Sequence, residues 1–271
     1  MSNDLALFIA GGASGIGAET AKLAVKRGFK AVIADHDIDA AKKIAATLGV
    51  RALAVALDVR DTKSWETALD EAFERMGGID VLVNAAAVGY VGDAISQPEI
   101  EMQHMADVNF FGMVHGMRAV IPRFLEEGKG HIVNVGTVAS YVPVAGQAFY
   151  AATKHAVRAY HYSVAIEHDE SPISFSLINP TAGHAGQERE APVELEAAAA
   201  LPISAQGVES DEIAARVIAV CVRRAEDMRA QREAAERAAS GGMPGWVRRI
   251  FWRRPSGETA SGVKASRQRK A

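Results

Sequence analysis

Leu5-Ala6-Leu7-Phe8-Ile9-Ala10-Gly11-Gly12-Ala13-Ser14-Gly15-Ile16-Gly17 is the stretch whose reading decides the fold. An apolar run leads straight into a glycine cluster, and a helical pattern follows over Gly15–Arg27. A short run that is apolar at every position fits a strand buried on both faces. Glycines at its end permit a tight turn. They also let backbone N–H groups approach a pyrophosphate at the N-terminus of the next helix. The spacing is G-x-x-x-G-x-G, and a glycine-rich turn that binds nothing is the plain alternative. The turn stands at the start of an alternating series, which favours a nucleotide.

The series runs on through the chain. Further strand-like runs are Ala31–Ala34, Ala52–Leu57, Val81–Val83, His131–Val135 and Ser174–Ile178. Between them lie helical patterns at Ile38–Leu48, Thr62–Met76, Pro98–Glu126 and Tyr150–Glu167, with another at Asp211–Arg224. Strands alternating with helices predict βαβ units and an α/β, Rossmann-type, doubly wound parallel sheet with helices on both faces. We expect a single domain over 1–239. It would include a mobile substrate loop at 181–207, rich in Ala, Glu, Gly and Pro, and a helix-prone stretch at 226–239. A basic tail over 240–271 completes the chain.

Composition narrows the function. The 271 residues are 49% apolar and 23% charged, ordinary for a globular protein. The tail sums to +7, which leaves the body at −10 within a net charge of −3. An acidic body argues against nucleic acid as a partner. Cys221 is the only cysteine and the histidines lack metal-ligand spacing, so no metal site is expected. With no apolar run of membrane-spanning length and no signal-peptide pattern, the expected location is cytoplasmic.

Two places carry candidate chemistry. Asp35 ends the second strand 18 residues after Gly17. A carboxylate there can accept hydrogen bonds from an adenosine ribose and repels a 2′-phosphate. Neither Ser14 nor His36 supplies a firm cation for that phosphate, so the reading is NAD(H) rather than NADP(H). The plain alternative is that Asp35 caps the next helix. Tyr150 and Lys154 stand four apart on a helical pattern, on one face. A Lys⁺ beside a Tyr favours the phenolate, giving a phenol able to exchange protons near neutral pH. A solvated Lys beside a half-buried Tyr is the ordinary alternative.

With these motifs in this order, the chain resembles a short-chain dehydrogenase/reductase, over about residues 4–184 and more weakly to 224. The resemblance implies that Gly11, Ser14, Gly15, Ile16 and Gly17 hold the cofactor pyrophosphate and that Asp35 selects NAD. Asp58-Val59 would contact the adenine. Asn84, Ala85, Pro180 and Thr181 would also lie at the cofactor. It implies a catalytic tetrad of Asn109, Thr137, Tyr150 and Lys154. The family's Ser, 13 residues before the Tyr, is here Thr137, which keeps the hydroxyl; Ser140 is out of register. The family's N-N-A-G reads Asn84-Ala85-Ala86-Ala87, and its P-G after the sixth strand reads Pro180-Thr181. No seventh strand is evident after Arg224.

The implied reaction is reversible hydride transfer between NAD(H) and a secondary alcohol or ketone. Tyr150 would move the proton, and Thr137 would bond the same oxygen. Lys154 would lower the Tyr150 pKa and hold the nicotinamide ribose. Asn109 would hold a water linking Lys154 to solvent. Ala87, Val88, Val138, Val142, Pro143 and Gln147, with the 181–207 loop, would line a largely apolar small-molecule pocket in which Gln147 or His184 bonds one polar group. Apolar residues around Pro98–Glu126 and Tyr150–Glu167 suggest a partner surface, and the resemblance implies a homodimer or homotetramer. The alternative is an NAD-binding sensor that kept the fold without turnover, suggested by the changes at Thr137, Asn84–Ala87 and Pro180-Thr181.

In the tail, Trp246, Val247, Ile250 and Phe251 share one side of a short helical pattern, with Arg248, Arg249 and Arg253 opposite and Arg254 out of place. This is compatible with a helix lying on an anionic membrane surface; a disordered tail or packing on a neighbouring subunit are the other readings. If the stripe inserts, the full-length protein co-sediments with anionic vesicles and the 1–240 protein does not. Equal sedimentation of the two removes the membrane reading.

Overall fold

The computed structural model describes residues 5–180 and 210–223. Six parallel strands form one sheet: β1 (Ala6–Ala10), β2 (Lys30–Asp35), β3 (Ala52–Ala56), β4 (Val81–Asn84), β5 (Gly130–Val135) and β6 (Ile173–Ile178), in the order β3-β2-β1-β4-β5-β6. Chain order reverses between β1 and β4, which sit side by side with Ala10 opposite Asn84. Such a switch point leaves a crevice beyond the C-terminal strand ends, where ligands bind in doubly wound sheets.

Helices cover both faces: α1 (Gly15–Lys26), α2 (Ile38–Leu48), α3 (Thr62–Met76), α4 (Glu99–Met105), α5 (Gly112–Glu127), α6 (Ala148–Glu167) and α7 (210–223). Alternate strand residues point to opposite faces. Leu7, Ile9, Ile33 and Val83 pack with Ala21 and Ala24 of α1 and with Val217 and Ile218 of α7. Phe8, Val32, Leu82 and Ile132 face the other way, onto Trp65 of α3, Met117 and Phe124 of α5 and Val157 of α6. Burial of each large apolar side chain stabilises by about 1.5–3 kcal/mol. The Phe8 and Trp65 rings meet at 5.8 Å, and Trp65 Nε1 donates to the Val59 carbonyl over 3.0 Å. The core thereby holds the loop that follows β3.

The fold class is as read, with three local departures. β3 and β6 are only partly buried because they are the outer strands of this order. The single helix expected over Pro98–Glu126 is α4, a π-helical turn at Ala106–Phe111 and then α5, with Pro98 outside as the N-cap. Such a turn holds one extra residue and here carries Asn109. α6 begins at Ala148 rather than Tyr150, so Tyr150 is already inside the helix. The 181–207 loop, Thr181, His184, the 226–239 stretch, the boundary at 239, the 240–271 tail and the place for a seventh strand all lie outside the described residues.

Candidate active site

The glycine turn is set by close backbone approach. Gly11 takes φ +79°, and a Cβ there would stand 2.6 Å from the Ala86 backbone. A Cβ on Gly17 would stand 2.0 Å from the Gly11 carbonyl oxygen, so α1 starts directly against the turn. No side chain caps α1, and Ser14 at its N-cap makes no side-chain bond to it. The positive end of its dipole therefore faces the crevice, a fit for a diphosphate. The crevice encloses about 550 Å³, the size of a cofactor site. Its walls include Gly11, Ser14, Gly15, Ile16, Asp35, Asp58, Val59, Ala85, Thr137, Tyr150 and Pro180. Gly17 does not line it and serves packing.

Asp35 does more than end a strand. Its carboxylate accepts from the Ala13 N–H at 2.9 Å and the Asp37 N–H at 3.1 Å, with His36 Nδ1 2.9 Å away. Asp37, not Asp35, caps α2, through the Ala40 N–H. Asp35 thus ties the glycine turn to β2 while still facing the crevice. At the neighbouring wall, Arg60 grips both oxygens of Asp58, at 2.9 and 2.7 Å, and this bond holds the Asp58 carboxyl below its usual pKa.

Of the four expected tetrad residues, Thr137 and Tyr150 line the other end, while Asn109 and Lys154 line a separate small cavity. Thr137 opens a 3-10 turn over Val138–Ser140. Its Oγ accepts from the Ala139 N–H over 3.4 Å, which leaves the hydroxyl proton free to donate into the crevice. Ser140 is fully buried and its hydroxyl accepts from the Thr137 N–H, so it is spent on the turn. Tyr150 faces the crevice one helical turn before Lys154, whose ammonium lies 5.8 Å from the phenol ring centre. Lys154 is 3% exposed and donates to the Val135 carbonyl over 3.4 Å.

One expectation needs correction. Burial pushes the Tyr150 phenol up to about 12 and the Lys154 ammonium down to about 8, so Lys154 does not bring the phenol below its ordinary value. Both charged forms lose water on burial, and that desolvation is the cause of both shifts. The Asn109 side chain clamps the Val88 backbone, accepting from its N–H and donating to its carbonyl at 2.8 Å each, with a 3.3 Å bond to Thr153. A small cavity of about 10 Å³, room for one water, does adjoin Lys154 and is lined by Asn84, Asn109 and Asn134. Of the expected substrate-pocket residues, Ala87 and Val88 line the crevice, whereas Val138, Val142, Pro143 and Gln147 do not.

Arg60, His104, Val108, Ser210 and Ile213 line the crevice without having been singled out in sequence. Arg60 follows the Asp58-Val59 pair directly, and that adjacency was a usable signal. The others come from distant elements and left none. Among the described residues, no group of three or more His, Cys, Asp or Glu is placed to hold a metal, and no helix is long and apolar enough to cross a membrane.

Residues 6–191 match the short-chain dehydrogenase family. The chain is 36% identical over 186 residues to 2,5-dichloro-2,5-cyclohexadiene-1,4-diol dehydrogenase of Sphingobium indicum, covering 66% of this chain and 74% of that one. Among solved structures it is similar to 3-ketoacyl-(acyl-carrier-protein) reductase from Brucella melitensis complexed with NADH. That match has a TM-score of 0.64 at 32% identity, over 67% of this chain and 76% of the other. It also shares its fold with a metagenomic short-chain oxidoreductase in complex with NADP, with a TM-score of 0.67 at 24% identity, over 80% and 90% of the two chains.

The buried ammonium gives a stability test. Below pH 8 the folded protein carries the full cost of burying the Lys154 charge; the cost is relieved as pH rises from about 8 toward the ordinary 10.5. Lys154→Met keeps the bulk and removes the charge. In the ligand-free protein it should raise Tm at pH 7 by about 2 °C or more, with the gap closing above pH 8. Calorimetry across that range checks both the sign and the window.

Proposed function

The chain belongs to the short-chain dehydrogenase family, and on that premise we propose that it transfers a hydride between NAD(H) and a largely apolar secondary alcohol or ketone in the cytoplasm, with Tyr150 as general acid/base. The observation that carries the reading is the shared crevice: the uncapped start of α1 and the Asp35 carboxylate line one end of it, and Thr137 and Tyr150 the other. When bound there, the nicotinamide supplies or takes the hydride. The protein's own residues do the rest.

Thr137, with its proton free, donates to the substrate oxygen and steadies charge developing on it. The Tyr150 phenol, protonated throughout the neutral range, gives its proton to that oxygen as a ketone is reduced. In the oxidation direction the phenol must act as a base, and a positive charge brought close to it favours the phenolate. The small cavity beside Lys154 offers one water as a route for replacing the proton. Asn109 acts through structure: by clamping Val88 it fixes the crevice wall that Ala87 and Val88 form. That wall is apolar, and the Sphingobium relative named for a cyclohexadiene diol makes an alicyclic alcohol a reasonable first choice of substrate.

Asp35 is the basis for reading NAD. Its carboxylate oxygens keep accepting capacity after the Ala13 and Asp37 bonds, enough for a ribose hydroxyl, and they oppose a 2′-phosphate. Turnover of an alicyclic and aromatic alcohol panel, followed by nicotinamide absorbance with NAD and NADP in parallel, tests both parts. We expect higher kcat/KM with NAD, and Asp35→Ala to narrow the preference. Tyr150→Phe should lower kcat by about 10²-fold or more with NAD affinity nearly unchanged. Thr137→Ser should stay active and Thr137→Val lose most turnover. Full activity in Thr137→Val would remove Thr137 from the mechanism, and a higher kcat/KM with NADP would overturn the reading of Asp35.

A homo-oligomer is part of the same proposal. Met105, Met113, Met117, Val157 and Val164 are spent on the chain's own core, but Phe111, Tyr162 and Ile166 remain exposed on the π turn and α6. Sedimentation should give a dimer or tetramer, and Ile166→Asp with Phe111→Asp should weaken it; a wild-type monomer would exclude the interface.

A further inference from the structure

Two parts of the crevice wall are joined by one buried hydroxyl. Thr153 of α6 is 5% exposed and stands about one turn after Tyr150. Its hydroxyl donates to the Tyr150 carbonyl over 2.7 Å. A threonine that bonds a carbonyl one turn back is ordinary in a helix. Here the same oxygen also accepts from Asn109 Nδ2, over 3.3 Å, and Asn109 belongs to the π turn. Asn109 in turn grips the Val88 backbone through two bonds of 2.8 Å. Val88 and Tyr150 both line the crevice.

The roles along this line follow from which groups can donate. The Tyr150 carbonyl can only accept, so the Thr153 proton goes to it and the Thr153 oxygen accepts from Asn109. An amide nitrogen can only donate. Asn109 gives one proton to the Val88 carbonyl and the other to Thr153, while its oxygen takes the Val88 N–H. Turned over, the amide would set nitrogen against the Val88 N–H and oxygen against the Val88 carbonyl, and both bonds would be lost. The two Val88 bonds fix Asn109 to the wall. The bond to Thr153 fixes that pair to α6, beside the residue that carries the phenol.

We infer that Thr153 is a positioning residue that holds the Val88 wall at a set distance from Tyr150, and so limits the size of substrate that reaches the phenol. This rests on the reading of Tyr150 as the group that meets the substrate. Valine at this position has nearly the same shape and no acceptor. The second Asn109 proton would then lie buried without its partner, which is costly. Arrangements in which Asn109 reaches water would gain, and the small cavity that Asn109 lines has room for one. An amide drawn that way loosens its hold on Val88. Phe110, the next residue, meets Tyr160 of α6 edge-on at 6.0 Å. That apolar contact keeps the π turn packed on α6, so losing the hydroxyl should act on the wall rather than on the fold.

Amide hydrogen exchange, followed residue by residue by nuclear magnetic resonance of the ligand-free protein, tests the tie without turnover. A failure here is therefore separable from a failure of the proposed reaction. Thr153→Val should speed exchange of the Val88 N–H by about tenfold, and Thr153→Ser, which keeps the hydroxyl, should bring the rate back. An unchanged Val88 rate in a folded Thr153→Val would overturn the inference. In the alcohol panel, Thr153→Val should shift kcat/KM by about tenfold in favour of bulky over small alcohols, with NAD affinity unchanged and the wild-type order restored in Thr153→Ser. A faster Val88 N–H with the size order unmoved would overturn the positioning role and leave a bond that serves the fold alone. If Thr153→Val does not fold, the wild type decides: both Asn109 side-chain amide protons should exchange slowly, and rapid exchange of either overturns the inference.

Discussion

Everything at the crevice depends on how closely two pieces of backbone approach. Gly11 lies against the backbone of Ala86, and Gly17 lies against Gly11, at distances no side chain would fit. The first contact sets the end of β1 beside the end of β4 at the switch point. The second brings α1 in with its unpaired N–H groups aimed at the opening. Remove either and the dipole of α1, the Asp35 carboxylate and the Thr137–Tyr150 end would no longer share one space.

The second organising feature is the amount of polarity placed behind that space. Asn84, Asn134, His161, Thr153 and Lys154 are all buried at the junction of β4, β5 and α6. A buried polar group is costly unless it is bonded, and here Asn84, Asn134 and His161 bond one another while Thr153 and Lys154 bond Asn109 and backbone carbonyls. Such a satisfied network is rigid because moving any member would leave a buried polar group without its bond. The core around it supplies stability, while the network fixes which groups remain available to the crevice.

Much of this was legible in the chain. The strands announced themselves as short apolar runs, and α2 and α3 were readable to the residue because Asp37 and Asp61 cap them in the ordinary way. Glycine turn, Asp35, Tyr150 and Lys154 were visible as local patterns, and Thr137 only through the family resemblance, which places a hydroxyl 13 residues before the tyrosine. The rest depends on tertiary contact. A π turn adds one residue to a helix without altering the apolar pattern that identified it, so Asn109 was placed but its grip on Val88 was not. The opposed shifts of Tyr150 and Lys154 follow from how deeply α6 is packed, which spacing along α6 does not encode. His161 read as one more scattered histidine until β5 put Asn134 beneath it.

The double engagement of Asp35 limits how this protein could change over evolutionary time. The same carboxylate closes the glycine turn and faces the crevice. A substitution that altered nucleotide choice at that position would also release the Ala13 and Asp37 N–H groups it now holds. A lineage changing that position would leave those two groups to water or to another acceptor. The position is therefore constrained by the loop it closes as well as by the crevice it faces, and drift there should be slower than at Arg60 or His36 on the same rim.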